Sequence, residues 1–256
     1  MGAEMSTQKH KDDDFFIPID VTPDQAKENK ETFFQRLEPF FAPSVMLDIR
    51  LAYILAKHGH RDQFRKELDP MGAKVRYFEH VRRVALVLFD EAKCTRSEMI
   101  IACLLHDGIE DTRDLTAEMI EHAFDSDVCS IVKILSKAPK EGYIERLHIC
   151  KDWRPLLIKA CDRLDNLRSL SGPTISEEFR IRQIKETREK YMPIFQKMLD
   201  YVPSKCRQDA TKIVSMIEEQ LNTLEDDKRE NHPLYGPCDA FAENKQCSAC
   251  ILIRVD

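Results

Sequence analysis

An apolar segment that ends in a cluster of acidic and imidazole side chains constrains the fold of this 256-residue chain more than any other feature. Residues 100–105 are all apolar, and His106, Asp107, Glu110 and Asp111 follow directly. A helix that is apolar on every side is expected to be buried at the centre of its domain. Because an unpaired charge beside such a helix is costly, the cluster indicates a bound cation.

The neighbouring pair His106 and Asp107 offers one nitrogen and one oxygen ligand, a combination that suits a divalent metal such as Mn, Fe or Zn. If the helix continued, Glu110 and Asp111 would lie one turn after these two ligands. The two acids are therefore the candidate catalytic groups, available for water activation or for a second ion. An isolated His-Asp pair is commonly an ordinary hydrogen-bonded pair, so the hypothesis depends on all four side chains together.

The composition predicts a helical protein with a substantial core. Hydrophobic residues make up 43% of the chain and charged residues 33%, while seven glycines are too few for a turn-rich all-β chain. The net charge of −6 argues against nucleic acid as a partner, so an anionic substrate would need a local basic pocket. No apolar run approaches the roughly 20 residues of a membrane span, and the N-terminus has no signal-peptide core. We therefore expect no membrane partner.

Nine cysteines are present, and six of them fall mostly among helical apolar positions: Cys94, Cys103, Cys129, Cys150, Cys161 and Cys206. Free cysteine behaves as a small buried hydrophobe in reducing compartments. The pattern therefore predicts buried thiols in a cytoplasmic protein.

The helical pattern divides the chain into three parts. Residues 1–20 are predicted to be a disordered lead-in, residues 21–225 an all-α domain with an added C-terminal helix, and residues 226–256 a cysteine-containing tail. The glycine and proline content of residues 58–72 predicts a loop there, and no segment has convincing strand alternation. Capping-box sequences at residues 95–98 and 174–177 predict the beginnings of two helices, the second of which continues to about Leu199.

A second polar face lies within residues 152–170. Four polar side chains follow helical spacing there: Asp162, Asp165, Asn166 and Ser169. Such a face is usually solvated, and it would matter only if it looked into a cleft. Lys159 and Arg163 flank Asp162 and are candidates for the positive charge that phosphoryl chemistry needs, provided that they face the pocket. His80 lies at the start of a helix predicted from Tyr77, and alone it would more often be structural than a ligand.

The order and type of His80, His106-Asp107 and Asp162 resemble the HD phosphohydrolase superfamily. The similarity is closer to one branch of it, because three segments resemble the hydrolase domain of RelA/SpoT proteins: YFEHVRRVA at 77–85, LLHDGIEDT at 104–112 and LIKACDRLDNLRSL at 157–170. Glu186, Thr187, Tyr191 and Pro193 extend it into the long helix, so that it covers residues from about 45 to 200.

The resemblance implies an HD-domain helical bundle in which His80, His106, Asp107 and Asp162 hold one divalent ion, usually Mn²⁺. It implies hydrolysis of the 3′-diphosphate of the alarmone (p)ppGpp, giving GDP or GTP and pyrophosphate. Too little chain follows the domain for a synthetase half, so we expect a small hydrolase-only member, similar to metazoan SpoT homologues. By analogy, Asn166 and Ser169 contact the nucleotide sugar and base, and the basic pair Arg65-Lys66 flanks the guanine.

The chain departs from the family pattern at three places. Val81 stands where the family usually has proline, and Asp165 replaces a common histidine. The segment between Lys66 and Tyr77 is longer than usual and lacks a Gly-x-Pro-Tyr sequence. Either of two other basic residues in this segment is therefore an alternative to the Arg65-Lys66 pair: Lys74 or Arg76.

Two alternative functions remain open from the sequence. The first keeps the metal and changes the substrate to another nucleotide, such as NADPH. The second is a non-catalytic regulatory module that retains the fold, against which stands the presence of all four candidate ligands and both acids. The expected partner is a small nucleotide, and the sequence does not indicate an oligomeric state.

The tail carries four candidate soft ligands: His232, Cys238, Cys247 and Cys250. The two-residue spacing between Cys247 and Cys250 lets both thiolates reach one ion, so a structural zinc site is one hypothesis. The remaining spacing fits no standard zinc finger. A redox-active thiol pair, or a tail whose last apolar residues dock on the domain, is the alternative.

Overall fold

The computed structural model describes residues 29–69 and 71–231, with side chains described as far as Asp226. The described chain is mostly helical, which confirms the predicted all-α class. Its helices and strands, in order, are α1 (Lys30–Leu37), α2 (Pro43–Gly59), β1 (Phe64–Leu68), β2 (Lys74–Arg76), α3 (Tyr77–Leu86), α4 (Ser97–Leu104), α5 (Gly108–Asp111), α6 (Ala117–Ala123), α7 (Ser126–Leu135), α8 (Tyr143–Ile149), α9 (Trp153–Arg168), α10 (Glu177–Glu186), α11 (Met192–Met198) and α12 (Ser204–Asn231).

The central helix α4 is buried as the sequence predicts. Its residues from Met99 to Leu104 all lie in the core, and it packs against α2, α3, α7 and α9. The helix begins at Ser97, close to the predicted start, but the predicted capping box is wrong. Arg96 occupies the N-cap position and makes no side-chain capping bond.

Helix α9 is the second organising element, because it packs against α3, α4, α7, α11 and α12. Most of its residues are buried, and its charged residues lie within that buried set. Asp162 is 3% exposed and Asp165 is 2% exposed. The polar face recognised in the sequence therefore looks into the protein rather than into solvent.

The prediction of a loop over residues 58–72 is wrong at residues 58 and 59, which end α2, and at residues 64–68, which form β1 and pair with β2 in an antiparallel hairpin. Phe64, Lys66 and Leu68 on β1 are exposed, whereas Arg65 and Glu67 between them are half-buried. The alternation is thus inverted: the inward positions are charged and the outward positions are partly apolar. Sequence patterns for strands rely on apolar residues facing inward, so this strand does not match them.

The long helix predicted from residue 174 to Leu199 is interrupted. It begins with Ser176 as the N-cap, whose side chain accepts a hydrogen bond from the Phe179 amide, so the capping box predicted at Thr174 is wrong. The Thr174 hydroxyl instead donates to the Lys66 carbonyl at 2.9 Å. Residues 187–191 form a π-helical turn between α10 and α11. Pro193, which has no amide hydrogen, follows this wide turn and is compatible with it.

The predicted lead-in at 1–20, and the tail residues His232, Cys238, Cys247 and Cys250, lie outside the described residues. The domain boundaries therefore stay predictions. Within the described ranges, none of the helices combines the length and the apolar character needed to cross a membrane.

Candidate metal centre and active site

Three elements bring the four candidate metal ligands together. His80 lies in the first turn of α3, Asp162 lies in α9, and His106 and Asp107 lie in the turn that follows α4. The helix does not continue through these two residues. Instead α4 ends at Leu104, and α5 begins a separate short turn at Gly108.

Glycine follows the ligand pair at a closely packed position. A Cβ atom at Gly108 would lie 2.9 Å from the Leu115 Cδ1 atom, so the end of that side chain would have to move to admit one. The Gly108 carbonyl also accepts the Thr112 hydroxyl at 2.8 Å. These contacts fix the turn that carries His106 and Asp107.

The potential ligand atoms converge. His80 Nε2 lies 3.1 Å from Asp162 Oδ1, and His106 Nε2 lies 2.9 Å from Asp107 Oδ2. Across the group, His80 Nε2 is 4.0 Å from Asp107 Oδ2, and His106 Nε2 is 3.8 Å from Asp162 Oδ1. All four residues are at most 5% exposed. The ligand atoms of His80, His106 and Asp162 lie within 4.8 Å of one another, and Asp107 Oδ2 lies within 4.0 Å of both imidazole nitrogens.

The outer nitrogens of both imidazoles are held by acceptors. His106 Nδ1 lies 2.8 Å from the Cys103 carbonyl oxygen, and His80 Nδ1 lies 2.6 Å from Asp165 Oδ2. A carbonyl oxygen can only accept, so Nδ1 of His106 donates to it, and Nε2 is the ring nitrogen that faces the two carboxylates. That Nε2 atom is buried, and although it lies 2.9 Å from Asp107 Oδ2 it makes no well-aligned hydrogen bond among the described residues. A buried ring nitrogen that faces carboxylates without such a bond fits a metal ligand, so the residues present fit the divalent ion that the sequence implies.

Electrostatics at the centre favour a cation. Burial acts to lower the pKa of His106, but the adjacent Asp107 carboxylate outweighs it and raises that pKa to about 9. Burial acts to raise the pKa of Asp107 and of Asp162, but His106 in the first case and Lys159 in the second hold the pKa well below its usual value. Both carboxylates are therefore ionised, as metal ligands must be.

Neighbouring donors orient the two carboxylates. The Tyr77 hydroxyl donates to Asp107 Oδ2 at 2.6 Å, and Lys159 Nζ donates to Asp162 Oδ2 at 2.7 Å. Asn166 Nδ2 donates to Asp162 Oδ1 at 2.7 Å. Burial, followed by the charge of Asp107, raises the pKa of the Tyr77 hydroxyl far above its usual value, so Tyr77 acts as a neutral donor.

The candidate catalytic acids lie beside the ligands. One carboxylate oxygen from each of Asp107, Glu110 and Asp111 falls within 4.8 Å of the others. Glu110 accepts hydrogen bonds from Lys137, through its Nζ atom at 2.8 Å and through its backbone amide. Burial, then the charges of Asp107 and Glu110, raises the pKa of Asp111.

A cavity of about 450 Å³ opens over the metal centre. Asp107 and Asp162 form part of its wall, together with Tyr77 and Asn166. Five basic side chains also line it: Lys137, Lys140, Lys159, Arg163 and Lys190. The local basic pocket that an acidic protein needs for an anionic substrate is therefore present.

The residues predicted to bind substrate are distributed unequally around this cavity. Lys159, Arg163 and Asn166 line it. Both Nη atoms of Arg65 donate to Asn166 Oδ1 at 3.1 Å, whereas Lys66 Nζ lies 3.9 Å above the Phe179 ring.

Three further residues that the sequence offered for substrate binding contact other parts of the protein or solvent. The Ser169 hydroxyl donates to the Asp165 carbonyl at 3.0 Å. Lys74 is exposed on β2, and Arg76 donates to the Arg61 carbonyl at 3.2 Å.

Sequence reasoning missed several residues of the site. Three of these are lysines: Lys137 and Lys140 in the segment between α7 and α8, and Lys190 in the turn after α10. They were missed because charged residues in such segments have no periodic sequence pattern. Tyr77 stands three residues before His80, which is helical spacing, and this could have indicated it. Asp165 was recognised as part of the polar face and as a departure from the family, but not as the residue that holds His80.

Comparisons with known proteins agree with this geometry. A family model described as "HD domain" matches residues 52–199, more than half of the chain. A guanosine-3′,5′-bis(diphosphate) 3′-pyrophosphohydrolase of Aquifex aeolicus is 36% identical over 156 residues, which cover 57% of this chain and 21% of the relative. The Drosophila melanogaster relative of the same name, MESH1, is 39% identical over 121 residues, or 45% of this chain and 65% of the relative.

A solved structure, described as a metazoan ortholog of SpoT that hydrolyses ppGpp, superposes with a TM-score of 0.52 at 28% identity. The match covers 69% of this chain and 94% of that one. This chain thus spans about a fifth of the Aquifex relative but nearly all of the solved metazoan chain. The sequence motifs, the helical fold and the family match together show that the chain belongs to the HD-domain family.

Proposed function

We propose that this chain is a metal-dependent hydrolase that removes the 3′-diphosphate of (p)ppGpp, giving GDP or GTP and pyrophosphate. The observation that carries the proposal is the convergence of His80, His106, Asp107 and Asp162 beside a cavity with five basic side chains. A substrate with two diphosphate groups needs both a cation at the reacting group and positive charge along the remaining phosphates. The printed names of the relatives support the same reaction.

The four candidate ligands would hold one divalent ion through two imidazole nitrogens and two carboxylate oxygens. We propose Mn²⁺, because a mixed nitrogen and oxygen set suits ions of this class. When bound, such an ion lowers the pKa of a water molecule and polarises a phosphoryl oxygen. In the overall reaction water attacks phosphorus, the bond from phosphorus to the 3′-oxygen breaks, and that oxygen leaves with a proton.

The candidate catalytic acids are assigned to the protons of this reaction. Glu110 and Asp111 lie beside Asp107, where either carboxylate could accept a proton from the attacking water. The raised pKa of Asp111 brings it closer to the range in which a carboxylate accepts and releases protons near neutrality. Lys137 holds the Glu110 carboxylate in place.

Binding of the substrate is assigned to the basic wall of the cavity. Lys159 and Arg163 lie on α9 beside Asp162, and the Arg163 guanidinium stacks 4.0 Å from the Tyr191 ring centroid. We propose that they offset negative charge on the phosphoryl oxygens, while Asn166 and Arg65 contact the nucleoside. Ser169 and Lys66 remain part of the proposed binding set, at the edge formed by the hairpin.

We also propose a reducing, cytoplasmic location. The cysteines among the described residues are free thiols, and Cys94, Cys103, Cys129 and Cys161 are buried. Burial raises the pKa of Cys103 and Cys161 well above its usual value, which keeps these thiols protonated and unreactive.

The test is hydrolysis by purified protein that has been stripped of metal and then reloaded with Mn²⁺. With ppGpp we expect GDP and pyrophosphate in equal amounts, detected by ion-exchange chromatography, and no product in the presence of chelator or with His106→Ala. A matched panel with NADPH and simple nucleotides separates the alternatives. Release of inorganic phosphate from NADPH with no reaction of ppGpp would replace the proposed substrate. Tight ppGpp binding without turnover would favour the regulatory module.

A further inference from the structure

The two helices that supply His80 and Asp162 each carry another charged residue one turn further on. On α3 this residue is Arg83, and on α9 it is Asp165. Asp165 Oδ2 accepts from His80 Nδ1 at 2.6 Å, and Asp165 Oδ1 accepts from Arg83 Nε at 2.8 Å. Asp165 Oδ2 also accepts from Arg83 Nη2 at 3.2 Å, so one buried carboxylate is shared between a candidate metal ligand and an arginine.

The hairpin holds Arg83 from the other side. Arg83 Nη2 donates to Glu67 Oε1 at 2.7 Å, and Glu67 is on the inward face of β1. The hydroxyl of Ser169, the C-cap residue of α9, lies 3.4 Å from the same Nη2 atom. A hydrogen-bonded chain thus runs from the strand through Glu67, Arg83 and Asp165 to His80.

A second chain leaves the same face of the strand. Arg65 donates to Asn166 Oδ1, and Asn166 Nδ2 donates to Asp162 Oδ1. The inward residues of β1 are therefore connected by hydrogen bonds to both helices of the candidate metal centre. One series of hydrogen bonds ends on His80 and the other ends on Asp162. On the outward side, Lys66 adds contacts with Thr174 and Phe179, so the hairpin is attached by the polar contacts of its inward face together with these two.

We propose that Asp165 is the positioning residue for His80 and that, through Arg83 and Glu67, it makes the β1–β2 hairpin part of the metal centre. An ionised carboxylate that accepts from Nδ1 keeps Nε2 on the side of the ring that faces the other candidate ligands, Asp107 and Asp162, and an outer acceptor of this kind raises the basicity of the ligand. Because the same carboxylate is shared with Arg83, order in the hairpin and affinity for the ion are thermodynamically linked. The inference rests on the proposed metal centre, but its test needs no turnover.

The discriminating variants are Asp165→Asn and Glu67→Gln, with Glu91→Gln as a matched control. Glu91 accepts from both Nη atoms of Arg168 at 2.7 and 2.9 Å. Its side chain is 13% exposed, compared with 12% for Glu67. The control therefore neutralises a glutamate that is about as buried as Glu67 and also pairs with an arginine, but that lies outside the hydrogen-bonded path from Glu67 to His80.

Two measurements are made on each metal-free protein. Mn²⁺ affinity is titrated by the electron paramagnetic resonance signal of free Mn²⁺, at a temperature at which circular dichroism shows the variant to be folded. Hydrogen exchange of peptides spanning residues 64–76 is followed with and without Mn²⁺. We expect Asp165→Asn to weaken Mn²⁺ binding by about 10–100-fold. We expect Glu67→Gln to weaken it less and to remove the protection of the hairpin by Mn²⁺, while Glu91→Gln matches the wild type.

Wild-type Mn²⁺ affinity in Asp165→Asn would overturn the proposal, since a merely structural ion pair with Arg83 would change stability but not affinity. If Asp165→Asn does not fold, the Glu67→Gln variant provides the test. Protection of its hairpin from hydrogen exchange by Mn²⁺ equal to that in the wild type would also overturn the proposal. The two proposals can fail separately. If the variants lose Mn²⁺ affinity, and the wild-type protein binds Mn²⁺ but does not hydrolyse ppGpp, this inference is supported and the proposed function is refuted.

Discussion

The Nδ1 atom of His106 lies 2.8 Å from the carbonyl oxygen of Cys103, so the turn that ends α4 also fixes which ring nitrogen is free to bind a cation. The backbone itself supplies this acceptor, because the helix stops at Leu104 and leaves carbonyl groups near its end without helical partners. The termination of the apolar helix and the orientation of the ligand therefore have one cause.

This relationship leads to the first prediction. His106→Ala or Asp107→Ala should abolish stoichiometric Mn²⁺ binding and hydrolysis while leaving the far-ultraviolet circular dichroism helical. Loss of a direct ligand should weaken binding by more than the roughly 10–100-fold that follows loss of an outer hydrogen bond. The measurement is metal content after gel filtration in Mn²⁺. A variant that retains full metal occupancy and turnover would remove this pair from the centre.

The second prediction separates metal binding from catalysis. Glu110→Gln should keep the metal but lower kcat by about 100-fold or more, the usual contribution of a positioned proton-transfer group. Glutamine can still accept from Lys137, so the local structure should persist. Glu118→Gln on the exposed side of α6 is the control and should have wild-type kcat. Wild-type kcat in Glu110→Gln would make Glu110 structural and leave Asp111 as the acid to test.

The third prediction concerns the nucleoside. Neutralising Arg65 and Lys66 together should raise KM for ppGpp roughly tenfold or more, with a smaller change in kcat, since charged hydrogen bonds contribute about 1.5–3 kcal/mol. The matched double variant Lys74→Ala/Arg76→Ala alters the other strand of the hairpin. If KM rises only in this second variant, the binding role moves to Lys74 or Arg76.

The fourth prediction is a pH dependence. Burial and the Asp107 carboxylate raise the pKa of Tyr77, so its hydroxyl stays protonated as pH rises and keeps donating to Asp107. Tyr77→Phe should therefore lower kcat/KM by roughly tenfold at every pH, the effect of one hydrogen bond to a charged group. The two pH profiles should run parallel from about pH 6 to about pH 10. A wild-type decrease near pH 10 that is absent in Tyr77→Phe would show that Tyr77 titrates normally.

The fifth prediction concerns the tail, where zinc at His232, Cys238, Cys247 and Cys250 is still a hypothesis. Zinc analysis of the wild type beside Cys247→Ser/Cys250→Ser tests it. A zinc site predicts about one equivalent of zinc in the wild type and none in the double variant, because both thiolates of the pair are needed to complete a four-ligand site. Equal zinc in both proteins would exclude the site.

Much of the fold was predictable because it depends on local spacing. The apolar run before His106 specified the buried helix α4, and helical spacing placed Asp162, Asp165 and Asn166 on one face of α9. The hairpin was not predictable, because β1 turns charged residues inward and its partners are distant in the chain. Arg65 contacts Asn166, 101 residues away, and Arg83 contacts Asp165, 82 residues away.

The sequence by itself therefore determined the helical class and the candidate ligand pair His106 and Asp107, since these follow from residue types at short spacings, whereas His80 and Asp162 joined the candidate ligands through the family resemblance. Only the tertiary structure decided that the α9 face is buried rather than solvated, and that Lys137, Lys140 and Lys190 line one cavity. It also decided that Asp165 holds His80. The physical reason is that these contacts depend on the long-range packing of helices and a strand. The spacing of residues along the chain does not show which distant side chains will pack together.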